Sequence, residues 1–244
     1  IRLCLVGSEM CIRDRVRLAA ILGTWQSTLT NFRYISKQWK KNCEEERLLG
    51  VSLTGIMDST LTNGKDDGLE ERLERLRDMA VETNKIHADR IGIPQSAAVT
   101  CVKPSGTVSQ LVDSASGIHA RHNPYYIRTV RADKKDPLAK AMVEAQFPVE
   151  DDVMKPEHTY VFSFPMKADP GAVYRTDMTA IEQLELWLKY QKHWCEHKPS
   201  VTISVKEHEW MEVGAWVYSN WEWMSGVSFL PFSDHTYRQA PYQD

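Results

Sequence analysis

Ala97-Ala-Val-Thr-Cys-Val-Lys-Pro-Ser-Gly-Thr-Val-Ser-Gln-Leu111 is the stretch from which the fold can be read. Residues 97–102 are small, apolar or β-branched, the composition of a short buried strand. Lys103-Pro104-Ser105-Gly106 breaks that strand, and residues 107–112 resume order as a helix. A strand, a small-residue turn and a helix start together form an anion site. The first-turn amides lack intrahelical partners, Gly106 admits close backbone approach, and the Ser and Thr hydroxyls add donors. Lys103 adds positive charge beside them. By spacing alone, an ordinary β-turn with a Ser or Thr helix cap is the commoner outcome. A Walker loop is excluded, because the Lys precedes the Gly and no Gly-Lys-Ser/Thr ending follows.

Working outward, residues 69–91 carry the strongest helical period in the chain. Leu69, Leu73, Leu76, Met79, Ala80, Thr83 and Ile86 fall on one face, opposite a solvated face of alternating Glu and Arg. Gly92-Ile-Pro94 ends this helix and turns the chain into the strand before the loop. Residues 48–56 read as an earlier inner strand. Helix, tight turn, inner strand and working loop is the order of an α/β barrel. Residues 16–32 predict a further helix with Leu18, Ile21, Leu22, Trp25, Leu29 and Phe32 buried. Residues 58–68 are polar and turn-rich. Their acidic pair Asp66–Asp67 matches no EF-hand spacing, so a solvated loop is expected.

Downstream, helices are expected at 136–147 and 180–196, the latter with Ile181, Leu184, Leu188 and Gln191 on one stripe, and strands at 160–166, 200–206 and 226–231. His193 and His197 sit at i, i+4 as helical zinc ligands do, but no second ligand pair matches them, so this reads as a helix end. Trp210, Trp216, Trp221 and Trp223 read as aromatic packing ahead of a base-stacking platform. Between Asp113 and Asp133 there is no acidic residue, while His119, Arg121, His122, Arg128 and Arg131 all fall there. These cations either pair with acids elsewhere or favour a phosphate ester.

The chain has 244 residues, enough for one large domain, and a net charge of −3. That balance argues against a general nucleic-acid binder, and no apolar run is long enough to span a bilayer. Five scattered cysteines fit a reducing cytoplasm better than a disulfide framework. Residues 1–15 look like translated sequencing-adapter read-through and are set aside from the fold, which leaves 16–244 as a partial domain truncated at both ends.

Lys103-Pro-Ser-Gly-Thr-Val-Ser-Gln-Leu111, Ser116-Gly-Ile-His119 and Tyr126-Ile-Arg-Thr-Val-Arg131 strongly resemble the adenosylcobalamin-dependent (class II) ribonucleoside-triphosphate reductases of the monomeric type. The resemblance extends through Leu22-Gly-Thr-Trp-Gln26, Glu46-Arg-Leu-Leu-Gly-Val-Ser-Leu-Thr-Gly55, Ser200-Val-Thr-Ile-Ser204, Gly226-Val-Ser-Phe-Leu-Pro231 and Tyr237-Arg-Gln-Ala-Pro-Tyr242. It implies the C-terminal part of a ten-stranded α/β barrel of the ribonucleotide reductase and glycyl-radical enzyme type. By the same resemblance, Pro104, Ser105, Gly106, Thr107, Val108 and Ser109 hold the substrate's phosphates, and Lys103, His119, Arg121 and Arg128 are candidates for lining the nucleotide cleft.

It also implies adenosylcobalamin as cofactor, a ribonucleoside triphosphate as substrate, thioredoxin or a similar dithiol as reductant, and a monomeric parent. The family's radical cysteine lies in an Asn-Pro-Cys-Gly-Glu segment. Asn42-Cys43-Glu44-Glu45 lacks its Pro and Gly, so Cys43 reads as a surface or helix cysteine and Cys101 as a small buried residue. The chain alone is therefore expected to show no turnover. Two other readings stay open: a piece of another reductase class, and a non-catalytic nucleotide-binding module.

Overall fold

The computed structural model describes residues 9–105, 108–232 and 239–243. In chain order the elements are α1 (Glu9–Gln26), α2 (Lys37–Glu46), β1 (Val51–Ser52), α3 (Leu69–Ile91), β2 (Thr100–Cys101), α4 (Val108–Leu111), β3 (Tyr125–Asp133), α5 (Pro137–Glu144), β4 (Val149–Asp151), β5 (Thr159–Lys167), α6 (Ala180–His193), β6 (Val201–Val205), α7 (Trp210–Ser219), β7 (Val227–Pro231) and β8 (Tyr242–Gln243). Among the described residues no helix is long and apolar enough to cross a membrane. The chain divides into two compact units, residues 1–120 with 171–232, and residues 121–170 with 233–244.

The first unit is built from two parallel strand pairs, each closed by a helical crossover. β1 and β2 pair in parallel with Val51 opposite Thr100, and α3 makes the connection. β6 and β7 pair in parallel with Val201 opposite Val227, across α7. Parallel neighbours need such crossovers because the chain must return to the same end of the sheet. Ser200 N donates to Val102 O at 3.0 Å, tying the second pair to the end of β2. This is the partial α/β barrel that the sequence leads one to expect.

α3 forms where its period predicts. Leu69, Leu73, Leu76, Ala80 and Thr83 are buried, Met79 is partly buried and Ile86 is exposed. Glu70 and Glu71 lie in its first turn and Arg90 in its last, each complementing the helix dipole. Gly92 adopts φ 71° and its amide caps the final carbonyls. α6 starts with a reciprocal cap: Thr179 Oγ1 accepts from Glu182 N at 3.2 Å, and Thr179 N donates to Glu182 Oε2 at 2.7 Å. Its buried side is Ala180, Leu184, Leu186, Trp187 and Tyr190, with Trp194 just beyond. Of the expected stripe, only Leu184 is buried. The ring hydroxyl of Tyr190 donates to Thr62 O at 2.8 Å, and burial pushes its acidity well below that of a free phenol.

Four features of this unit differ from the expectations. α1 begins at Glu9, inside the segment set aside, and Ile12 is fully buried in the core together with Val16 and Ala20. The face expected to be buried is the outer one: Leu18, Leu22, Trp25 and Leu29 are 45–72% exposed. Some of these line a cavity of about 690 Å³ with Phe32, Trp39, Cys43 and Leu48. The 58–68 loop is solvated only in its second half, since Asp58, Ser59, Thr62 and Asn63 are buried. Two of these are met by backbone: Thr62 Oγ1 donates to Ile56 O at 2.8 Å, and Ala115 N donates to Asp58 Oδ2 at 2.7 Å. Finally, Trp210, Trp221 and Trp223 are exposed and Trp216 is partly so, while Trp187 and Trp194 occupy the core.

The second unit is an antiparallel sheet in the order β4-β5-β3-β8, with α5 between β3 and β4 in the chain. β3 and β5 pair along nine residues, from Tyr125 opposite Lys167 to Asp133 opposite Thr159. Asp136 caps α5 by accepting from Leu138 N at 2.8 Å, with Pro137 at the first helical position. Buried Asp152 accepts from Arg131 Nε at 2.6 Å and from Met154 N and Lys155 N at 2.9 Å each. Arg131 thus pairs with an acid, the first of the two readings of the cationic stretch.

These donors, led by the Arg131 guanidinium, hold the Asp152 carboxyl below the usual carboxylate range. A carboxyl lowered on folding contributes stability that is present above its unfolded value, about 3.9, and lost as pH falls through the folded one. Acid titration followed by circular dichroism should therefore show loss of structure below about pH 4 that Asp152→Asn flattens. An unaltered acid transition in that variant would refute the assignment.

Candidate functional site

β2 ends at Cys101, and the chain leaves the sheet through Val102 into the loop. Lys103 and Pro104 are exposed and Ser105 is half-buried. Gly106 and Thr107, assigned to the phosphates by the resemblance, lie outside the described residues. α4 (Val108–Leu111) is a single turn of four residues, with Val108 exposed and Ser109 buried. A strand before the loop and a helical turn after it are thus both present among the described residues, the strand shorter than expected.

The loop is anchored by hydroxyls from elsewhere in the same unit. Lys103 N donates to Ser52 Oγ at 3.1 Å, and Ser105 N donates to Ser116 Oγ at 2.9 Å. The amide of Ser105, a residue the resemblance assigns to the phosphates, is therefore already used, as is that of Lys103. Ser116 Oγ donates in turn to Ser105 O at 3.2 Å, and Ser109 Oγ donates to the same carbonyl at 3.0 Å. The backbone of Ser105 is clamped on both sides. Its own hydroxyl oxygen is buried and has no hydrogen-bond partner among the described residues. A buried hydroxyl left unpaired is costly, which makes it a ligand-seeking group.

Gly117 follows Ser116 with φ 55°, a left-handed conformation that favours glycine. A Cβ there would lie 3.0 Å from Lys103 O, so the turn at 115–117 supports the loop directly. That turn is fixed from below by Thr54 Oγ1 donating to Ala115 O at 2.8 Å and by Gly117 N donating to Thr54 Oγ1 at 3.3 Å.

His119 was a candidate for lining the cleft. Here its Nδ1 lies 3.1 Å from Ser116 O, and its Nε2 accepts from Thr202 N at 3.2 Å. Both ring nitrogens are engaged within the unit, and burial lowers its basicity against the opposing pull of the Ser116 carbonyl. Lys103 and the loop residues belong to this unit as well. Arg121 and Arg128 belong to the second unit. There, buried Arg121 donates to Tyr126 OH at 3.2 Å, and Arg128 sits over the Tyr242 ring at 4.4 Å. The structure thus groups Lys103, Ser105, Val108, Ser109 and His119 in one unit, and Arg121 and Arg128 in the other.

Sequence reading missed the supporting residues Ser52, Ser116, Gly117 and Thr202. Ser116-Gly117 is a turn signal on its own, but nothing in linear spacing says which loop its hydroxyl will reach. Elsewhere, burial raises the Cys101 thiol, opposed by the Ser52 hydroxyl and Lys103, and raises Cys195 more strongly. Neither thiol is primed as a nucleophile. His193 Nδ1 lies 2.8 Å from Glu74 Oε1, whereas His197 Nε2 lies 2.7 Å from Leu49 O, so the two rings serve different partners.

No protein-family profile matches the chain. Curated relatives do. It is 32% identical over 225 residues to a probable adenosylcobalamin-dependent ribonucleoside-triphosphate reductase of Dictyostelium discoideum, covering 86% of this chain and 28% of that one. The Euglena gracilis enzyme of the same name is 29% identical over 211 residues, with 84% and 29% covered. A crystal structure of a B12-dependent class II ribonucleotide reductase superposes with a TM-score of 0.79 at 22% identity, over 96% of this chain and 37% of that one. This chain is homologous to a segment of the class II ribonucleotide reductases. It spans under a third of the length of these two curated reductases. The class II fold is matched more closely than that of a class Id reductase α subunit from Actinobacillus ureae, where the TM-score is 0.56 at 12% identity.

Proposed function

We propose that this chain supplies the substrate phosphate-binding part of an adenosylcobalamin-dependent ribonucleoside-triphosphate reductase. The parent reduces a ribonucleoside triphosphate to its 2′-deoxy form by a thiyl-radical route, with thioredoxin or a similar dithiol as reductant, and works as a monomer. The observation that carries the site is the Ser105 hydroxyl, buried and unpartnered within a loop whose backbone is otherwise clamped. The names of the relatives support the reaction class and the triphosphate.

The anion is gripped by a narrower set than the loop as a whole. Ser105 Oγ donates to a phosphate oxygen, the first-turn amides of Val108 and Ser109 serve the same charge, and exposed Lys103 adds a cation. Ser105 N and Lys103 N take no part, being occupied by Ser116 and Ser52. Pro104 shapes the turn and offers no amide. The radical cysteine and its carboxylate belong to the Asn-Pro-Cys-Gly-Glu pattern, which these 244 residues do not contain.

Adenosylcobalamin would supply radical initiation in the parent. Among the described residues no group of three His, Cys, Asp or Glu converges as metal ligands, and His119, His193 and His197 are each engaged within the protein.

The test is titration of the chain with ATP, CTP and orthophosphate, followed by ³¹P resonance. Nucleoside triphosphates should bind more tightly than orthophosphate. Ser105→Ala should weaken them about tenfold or more, since a hydrogen bond to a charged group is worth about 1.5–3 kcal/mol. Equal affinity in that variant would overturn the site. With adenosylcobalamin and a dithiol, the chain alone should form no deoxynucleotide.

A further inference from the structure

We propose that His119 is a positioning residue for the phosphate loop, acting through Ser116 to present the Ser105 hydroxyl. The proposal rests on reading that loop as a phosphate site. It assigns His119 a role other than direct contact with the nucleotide.

Five hydrogen bonds in one unit link Thr202, His119, Ser116 and Ser105. A backbone N–H can only donate, so the 3.2 Å contact from Thr202 N makes His119 Nε2 an acceptor. The ring is then neutral, with its proton on Nδ1, and Nδ1–H donates to Ser116 O at 3.1 Å. The His119 amide donates to the same carbonyl at 3.0 Å. Ser116 is therefore held from the side of β6. Its hydroxyl closes both polar groups of the Ser105 backbone, accepting from N and donating to O. With those groups closed, the Ser105 side chain is the polar group of that residue left for a ligand.

Two features separate this from ordinary core satisfaction. First, the far end of the relay is the orphaned hydroxyl, where a purely structural histidine would end on a satisfied group. Second, the turn at 115–117 already has anchors in Asp58 and Thr54, which receive or give bonds at Ala115 and Gly117. The imidazole adds a tie at Ser116, the residue between them that touches the loop. A ligand bond to either ring nitrogen would break one end of the relay, so positioning and direct contact exclude each other.

The experiment uses the 244-residue chain and two readouts, amide hydrogen exchange at Ser105 and affinity for inorganic triphosphate. His119→Ala should speed Ser105 exchange about tenfold and weaken triphosphate by a similar factor, the loss of one buried hydrogen-bond tie. His119→Asn keeps a donor near the Nδ1 position and should retain most of the Ser105 protection. His119→Gln keeps an acceptor near Nε2 and should not. Ser116→Ala should match His119→Ala, and the double variant should add nothing further, because both act in one chain of contacts.

Where the Ala variant fails to fold, the Asn and Gln pair carries the test. Ser105 exchange that is the same in wild type, Asn and Gln would overturn the relay, as would fully additive effects of His119 and Ser116. If wild type fails to bind triphosphate, the phosphate reading falls alone. Ser105 exchange then still decides whether His119 governs the loop.

Discussion

Trp194→Ala should remove about 3–5 kcal/mol of stability, the usual cost of deleting a buried tryptophan. Trp194 is fully buried at the end of α6, and its ring N–H donates to Cys101 O at 2.7 Å. The same bend carries Thr100 Oγ1 donating to Trp194 O at 2.6 Å, and the amides of Glu196 and His197 donating to Thr100 O at 3.1 and 3.0 Å. Truncation therefore opens a cavity beside β2 and leaves the Cys101 carbonyl without its partner. Since domains hold only about 5–15 kcal/mol in total, such a loss consumes much of the fold's margin. Trp194→Phe separates the two parts: it keeps most of the volume and should cost about 1–3 kcal/mol for the unpaired carbonyl. Urea unfolding monitored by circular dichroism measures both. A Trp194→Ala midpoint close to wild type would mean that the ring does not hold α6 to β2.

Gly117→Val should affect the loop more than the fold. A valine at φ 55° is strained by about 1–3 kcal/mol wherever it sits. Here its Cβ would also meet Lys103 O at 3.0 Å and Lys103 C at 3.4 Å, both backbone atoms that cannot rotate away. The loop must shift, and Ser105 with it, so triphosphate affinity should fall about tenfold or more. Gly92→Val is the matched control, with φ 71° and nothing within 4 Å of the added carbon. It should lose comparable stability and keep its affinity. Equal binding losses in the two variants would show that strain alone is responsible, and that Gly117 does not support the loop.

How far these features could be read from the chain varies with the physics behind each. α3 was legible because its apolar positions fall on one helical face, its charges alternate on the other, and Gly92 marks its end. The loop after β2 was legible as a break between apolar and helical composition. α1 was misread because it has apolar residues on two faces. The period chose Leu18, Leu22 and Trp25, whereas the unit packs Ile12, Val16 and Ala20, the slimmer set that lets α1 approach α3 closely.

The 58–63 segment was misread as solvated because polar composition was equated with water contact. Two of its acceptors are met by groups far away in sequence, the Asp58 carboxylate by Ala115 N and the Thr62 carbonyl by Tyr190 OH. The same reason hid Ser116 and Thr202 from the site. Pairings across 11 residues for Ser105 and Ser116, and across 83 for Thr202 and His119, leave no trace in local spacing. The antiparallel sheet of the second unit was foreseen only in part. The strand at 160–166 was expected, but its nine-residue partner β3 was read for its charges alone.

The parallel pairing of Val51 with Thr100 has a kinetic corollary. Each strand is two residues long, so neither can nucleate alone, and the loop entropy of the intervening chain must be met before any ladder bond forms. α3 shortens that gap by coiling about half of the intervening residues, which favours bringing β2, and the loop that follows it, into register. Pulse-labelled amide exchange during refolding is therefore expected to protect α3 before Ser105.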